Sequence, residues 1–248
     1  KSIRLETVSH SCRARVVDEE CSGNEQSGRA TPQGHGVGNM ADVTVLIPAY
    51  NEAGRIGPTV RELIGAYDVL VVDDGSGDET AAEAREAGAT VVEQETNRGY
   101  MAALTRGFDE ADAEVLVTYD ADGEHKPAHV SKVITPVCRD RYDLVFGARD
   151  EIPRPSERLL NRVTQLALDI SDSGSGLRAI RRSLATRLTL ETACPCGTLA
   201  LEAATKGARL GEVQIETRSI RKPRGIAWQH ARQLGYVIRH LLTFAASD

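Results

Sequence analysis

No stretch of this 248-residue sequence is apolar over anything near the roughly 20 residues that a membrane-spanning helix needs. No N-terminal segment shows the basic, apolar and small-residue order of a secretory signal. Glycine (22) and proline (9) are too few for a collagen-like or mucin-like chain, and five cysteines are too few for a disulfide scaffold. Without a secretion signal, reduced thiols are the expectation. Cys194-Pro-Cys196 stands alone, because no second Cys or His pair lies at the spacing a zinc site needs. Neither GxGxxG nor GxxxxGK[ST] occurs, which leaves a dinucleotide fold and a P-loop unsupported.

What is present is ordinary globular composition, 41% hydrophobic and 27% charged, enough for one large α/β domain. The net charge of −6 hides a division. Residues 40–150 carry ten Lys/Arg against 22 Asp/Glu, whereas residues 151–248 carry fifteen against nine. An acidic half joined to a basic half suits a cation on one side and an anion on the other. Scattered, solvated surface charge is the plain alternative.

Residues 1–39 lack periodicity and are rich in Gly, Ser, Gln and Asn, so they read as a disordered leader. Met40, followed at once by a strand, looks like the beginning of the folded unit, with the leader as an upstream extension. Strands are expected at 43–47, 69–72, 90–93 and 115–119, alternating with helices at 53–66, 78–87 and 99–111. Gly88 is placed for a left-handed helix cap, and Ser76 or Asp78 for the N-cap of the second helix. Strands apolar on both faces, alternating with helices, imply a mostly parallel central sheet flanked by helices on both faces. Ligands then bind beyond the carboxyl ends of the strands. Polar clusters stand at each of those ends: Tyr50-Asn-Glu52, Asp73-Asp-Gly-Ser76, Asn97-Arg-Gly99 and Asp120-Ala-Asp122.

Asp120, Asp122 and Glu124 occupy alternate positions after the fourth strand, where extended geometry turns their side chains to one side. Three such anions repel one another unless a cation sits between them, and oxygen ligands suit Mg²⁺ or Mn²⁺. A solvated acidic turn is the alternative for a bare DxD. Asp73-Asp74 can accept hydrogen bonds from nucleobase or ribose groups, or simply form a turn.

Six segments recur in order: Pro48-Ala-Tyr-Asn-Glu52, Val72-Asp-Asp-Gly-Ser76, Asn97-Arg-Gly99, Asp120-Ala-Asp122-Gly-Glu124-His125, Gly147-Ala-Arg149 and Asp172-Ser-Gly-Ser-Gly-Leu-Arg178. Together, over about residues 42–225, they resemble the inverting glycosyltransferases of family two, with the GT-A fold. Within that family they are most similar to the dolichyl-phosphate hexose synthase branch. The resemblance implies a Rossmann-like half that binds the nucleotide sugar and a second half that binds the acceptor. It implies a nucleotide pocket lined by Pro48, Tyr50, Glu52, Val72, Asp74, Asp120 and Ala121, with Asp120, Asp122 and Glu124 holding Mg²⁺ or Mn²⁺. Asp122, Arg149 and Glu202 would be catalytic, with Arg149 reaching phosphate and Glu202 near the acceptor. Arg158, Arg178, Arg221 and Arg224 would bind the acceptor phosphate, and residues 172–178 would shape the sugar and acceptor face. Tyr100 stands where relatives often carry Lys or Leu, and the segment between Arg158 and Asp172 is shorter than usual.

The expected reaction is metal-dependent transfer of a hexose, by single displacement, from a nucleotide-diphosphate sugar to a polyprenyl phosphate, the acceptor of protein glycosylation. UDP-glucose is taken as the donor in preference to GDP-mannose. A glycan hydroxyl acceptor, which needs a general base, and a non-catalytic nucleotide-binding module are the alternatives. No nucleic-acid partner is expected. Residues 226–248 form a separate amphipathic helix, in which Trp228, Ala231, Gly235, Ile238, Leu242 and Ala245 follow 3–4 spacing. Such a stripe suits packing on the domain or lying at a membrane interface. The expected location is the cytoplasm, with a peripheral position at a membrane's cytoplasmic face as the variant.

Overall fold

The computed structural model describes residues 43–152, 154–192, 194–218 and 227–245. The leader at 1–39, Arg221 and Arg224 lie outside the described residues, as does the Trp228 side chain.

Seven strands form one sheet: β1 (Val43–Ala49), β2 (Asp68–Asp73), β3 (Thr90–Glu93), β4 (Val115–Thr118), β5 (Leu144–Arg149), β6 (Arg178–Arg181) and β7 (Leu210–Ile215). Their order is β3-β2-β1-β4-β6-β5-β7. All pairs are parallel except those of β6, which runs antiparallel to β4 and to β5. Helices fill the connections: α1 (Ile56–Leu63), α2 (Thr80–Glu86), α3 (Tyr100–Glu110), α4 (Ala128–Cys138), α5 (Pro155–Thr164), α6 (Arg182–Ala185), α7 (Thr198–Thr205) and α8 (Ala227–Ala245).

The period-two alternation of β1 divides the core into two layers. Val43, Val45 and Ile47 pack with Ile56 and Val60 of α1 and with Val130, Val133 and Ile134 of α4. Leu46 points the other way, onto Met101, Leu104 and Phe108 of α3. Helices therefore cover both faces, as the apolar strands require. The edge strand β3 is the exception, with Thr90 and Glu93 exposed and Val91 and Val92 half-buried.

The first expected helix boundary is corrected. Helix α1 begins at Ile56 rather than residue 53, because residues 51–54 are fastened elsewhere. Their four consecutive amides donate to Ser76 Oγ (2.9 Å), Thr80 Oγ1 (2.8 Å), Asp78 Oδ2 (3.2 Å) and Glu83 Oε2 (2.7 Å). The expected N-cap of α2 is corrected: Glu79 holds that position without a side-chain cap, Asp78 just before it accepts from the Thr80 amide, and Ser76 bonds to Asp73 and to the 51–54 loop. Gly88 takes the left-handed conformation at the end of α2, with φ +101°.

Of the two roles read for the apolar stripe of α8, packing on the domain is not the one found. The helix packs on α5 and α7 through His230, Gln233, Leu234, Val237 and Leu241, while Ala231, Gly235, Ile238, Leu242 and Ala245 face outward. Two polar side chains, His230 and Gln233, stand on the buried face because fixed partners await them there. Among the described residues, no helix is long and apolar enough to cross a membrane.

Candidate active site

A cavity of about 750 Å³ opens beyond the carboxyl ends of β1, β2 and β4. Pro48, Tyr50, Glu52, Asp74, Asp120, Ala121, Asp122, Arg149 and Arg178 all line it, so nine of the sequence-predicted residues share one cleft. Val72 does not: it is fully buried in the α3-side core.

Asp120 lies two residues beyond β4 and is seated against Gly176, where a Cβ would lie 1.9 Å from its Oδ2. That close approach explains the glycine just ahead of β6. Asp122 accepts from the Glu124 amide at 3.0 Å, which folds the acidic turn back on itself. The tightest acidic cluster differs from the alternating triplet expected. Asp120, Glu124 and His125 offer ligand atoms within 4.8 Å of one another, while Asp122 stands beside them on the cavity wall. His125 is completely buried, with Nε2 3.7 Å from Asp120 Oδ2, and among the described residues neither ring nitrogen has a hydrogen-bond partner. An orphaned imidazole beside two carboxylates fits a divalent cation, and the carboxylate oxygens suit Mg²⁺ or Mn²⁺. The sequence signal for His125 was its place directly after Glu124.

Glu52 faces this cluster. Burial raises its carboxyl above the ordinary value, Arg55 (Nε to Oε2 2.7 Å) opposes that shift, and Asp122 and Asp120 reinforce it. Asp74 is buried, and it accepts from Gln94 Nε2 (2.8 Å) and from the amides of Arg98 and Gly99 (2.7 Å each). Its carboxylate therefore orders the Asn97-Arg-Gly99 loop at the cavity's edge.

The two buried guanidinium groups differ in what they can still do. Arg149 is held by Asp172 (Nε to Oδ2 2.7 Å, Nη2 to Oδ1 3.0 Å) and by Glu157 (Nη2 to Oε2 3.1 Å), with Glu124 Oε1 at 3.9 Å from Nη1. Its charge is thus balanced within the protein. Arg178 is 1% exposed, donates weakly to Thr118 Oγ1 (3.4 Å), and its Nε has no partner among the described residues. The aromatic ring of Tyr100 lies on the same cavity, and burial raises its hydroxyl pKa first and foremost.

Besides Val72, three expected residues are not on the cavity wall. Glu202 accepts from the Thr189 amide (2.6 Å) and hydroxyl (2.8 Å) and from the Leu190 amide (3.3 Å), and it fixes that loop away from the cleft. Arg158 is exposed on α5 and donates to the Ile152 carbonyl; Arg154, one turn earlier, lines the cavity instead and is paired with Glu157. Glu124 is buried beneath the wall rather than on it. The cavity lining also includes Cys194 and Cys196, which the sequence reading left standing alone, and His230, which it did not place at the site.

The profile of glycosyl transferase family 2 matches residues 44–200, most of the described sheet. The chain belongs to glycosyl transferase family 2. Two archaeal relatives extend the match along most of their own length. An uncharacterised protein of Methanocaldococcus jannaschii is 32% identical over 72% of this chain and 82% of its own. The UDP-N-acetylglucosamine–dolichyl-phosphate N-acetylglucosaminyltransferase of Methanococcus voltae is 31% identical over 72% of this chain and 87% of its own. An undecaprenyl-phosphate 4-deoxy-4-formamido-L-arabinose transferase from Enterobacter is 33% identical over 57% of this chain and 49% of its own. Among solved structures, the glucosyl-3-phosphoglycerate synthase of Mycobacterium tuberculosis, in complex with Mn²⁺, UDP-glucose and phosphoglyceric acid, superposes with a TM-score of 0.68. That match is 22% identical and covers 82% of this chain and 79% of the other. At that identity the likeness establishes the fold, which is the GT-A type of family 2.

Proposed function

We propose that this family 2 glycosyltransferase moves a hexose from a nucleotide-diphosphate sugar to a polyprenyl (dolichyl-type) phosphate, inverting the anomeric carbon. One observation carries the reading: a single cavity is lined by Asp120 and Asp122 together with Arg178, whose Nε has no partner among the described residues. Carboxylates can hold a cation against a diphosphate, and a guanidinium fork matches a second phosphate. Mg²⁺ or Mn²⁺ at Asp120, Asp122, Glu124 and His125 would neutralise the charge that develops on the leaving diphosphate.

The chain's own residues then bind and orient. Pro48, Tyr50 and Ala121 form the nucleotide side of the cleft, with the Asp74-ordered loop at its edge. Arg178 donates to the acceptor phosphate, and Arg149 holds the 172–176 segment through Asp172. A phosphate monoester has a second pKa near ~6, so it arrives ionised and needs no base. A glycan hydroxyl needs a general base. The candidate for that role, Glu202, is occupied by backbone and hydroxyl donors away from the cleft, which supports the phosphate acceptor. The dolichyl- and undecaprenyl-phosphate relatives support the same acceptor class. UDP-glucose is the donor we propose.

A polyprenyl acceptor lies in a membrane. Leu159 and Leu166, within and just beyond α5, and Ile238 and Leu242 on the adjoining α8 are exposed. Large apolar side chains left in water in this way support peripheral contact with a lipid surface. We propose one GT-A domain over 40–225 with the C-terminal helix as its membrane-facing addition.

The test is incubation with radiolabelled UDP-glucose, Mn²⁺ or Mg²⁺ and polyprenyl phosphate in vesicles. Label in organic-extractable lipid, lost on chelation, is the expected result. Label confined to water-soluble glycan overturns the acceptor, and donor binding without turnover overturns catalysis.

A further inference from the structure

Cys194, Cys196 and His230 come together from two distant parts of the chain, the turn that leads into α7 and the first turns of α8. One ligand atom from each lies within 4.8 Å of the other two, the spread that a tetrahedral ion with bonds of about 2.0–2.3 Å can draw together. Cys196 and His230 are buried and Cys194 is half-buried.

The surroundings hold these donors in place. The Gln233 amide nitrogen donates to the carbonyls of Cys194 (2.7 Å) and Cys196 (3.0 Å) and to Thr198 Oγ1 (3.0 Å), while its oxygen accepts from the Cys194 amide (3.2 Å). One buried side chain thereby fixes both ends of the Cys-Pro-Cys turn. Gly197 continues it at φ +77°, where a Cβ would meet Thr164 Oγ1 at 2.5 Å. On the His230 side, Nδ1 bonds to Ser156 Oγ at 2.8 Å. Such a hydrogen bond to one ring nitrogen sets the tautomer and aims the other nitrogen, as the outer partners of metal-bound histidines do. Leu160, Leu201 and Val237 form an apolar wall against Cys196.

We propose that Cys194, Cys196 and His230 form a second metal site, selective for zinc and separate from the acidic cluster. Two sulfurs and an imidazole are soft and borderline donors, which favour Zn²⁺ over the Mg²⁺ or Mn²⁺ preferred by oxygen ligands. All three residues border the cavity, so a fourth coordination position is open to it. The ion would also tie α8 to the turn before α7.

The full chain is titrated with Co²⁺ in saturating Mg²⁺. We expect one equivalent to bind with an intense sulfur-to-cobalt charge-transfer band, and one equivalent of Zn²⁺ to abolish it. The band persists in Asp122→Asn and disappears in the Cys194→Ser/Cys196→Ser double variant. In the unaltered protein, which removes any question of misfolding, bound zinc shields both thiols from alkylation and chelation exposes them. Cobalt binding without the sulfur band, a band that survives in the double variant, or thiols that zinc leaves unshielded each overturn the site. None of these readouts depends on sugar transfer, so failure of the proposed function leaves them intact.

Discussion

Arg149 and Asp172 form a two-pronged ion pair almost wholly shut off from solvent, with Nε 2.7 Å from Oδ2 and Nη2 3.0 Å from Oδ1. Asn161 Nδ2 and the Arg149 amide bring two further bonds to the same carboxylate. An arginine that sequence resemblance assigns to phosphate is therefore a girder of the acceptor side. Removing one member of a buried pair strands the other charge, which costs about 3–5 kcal/mol. We expect Asp172→Ala to lower the unfolding free energy by that amount in urea denaturation.

The same pair sets a pH dependence. Burial pushes the Asp172 carboxyl up, but the hydrogen bonds and charge of Arg149 outweigh it and hold the carboxyl below its ordinary value. A carboxyl depressed in the folded state contributes stability that is complete above its unfolded pKa and disappears as pH falls through the folded one. Unfolding free energy measured from about pH 6 down to about pH 3 should therefore fall more steeply for the unaltered chain than for Asp172→Asn.

Asp122→Asn should reduce transfer by at least roughly 100-fold at every Mn²⁺ concentration, the upper end of what loss of a supporting metal partner costs. His125→Gln should instead raise the Mn²⁺ concentration needed for half-maximal rate, because it removes an orphaned donor beside Asp120. A near-normal transfer rate in Asp122→Asn together with an unshifted Mn²⁺ requirement in His125→Gln would sink the metal assignment.

Arg178→Lys and Glu202→Gln should separate chemistry from scaffolding. Arg178→Lys keeps the charge but loses the fork, and kcat/KM for the phosphate acceptor should fall by about 10²–10³. Glu202→Gln should leave kcat/KM close to normal and cost about 1–3 kcal/mol of stability, because it weakens the Thr189 and Leu190 bonds.

Gly176→Ala places a methyl where Asp120 Oδ2 now sits, 1.9 Å from the Cβ position. The carboxylate must swing away. Transfer should drop at low Mn²⁺ and recover partly at high Mn²⁺, read from rate against metal concentration.

The donor half of the fold was readable because its information is local. The runs at 43–47, 69–72, 90–93 and 115–119 are apolar, and each is followed by polar residues that the parallel sheet gathers at one edge. The acceptor half depends on distant pairings. Strand β6 is four residues with arginine at both ends, and only its antiparallel fit between β4 and β5 makes it a strand. Arg149 and Arg178 look alike in sequence, and their difference rests on Glu157, Asp172 and Asn161, brought in from α5 and the loop before β6. The packed face of α8 carries His230 and Gln233, and no hydropathy pattern marks those as inward.

The four amides of residues 51–54 are hooked onto the segment from Ser76 to Glu83. The lip of the cleft is consequently braced from behind by the second βα unit, and an arriving nucleotide meets a wall already in shape. Little chain freedom remains to be lost on docking, so donor affinity should respond to damage in α2 that never touches the ligand.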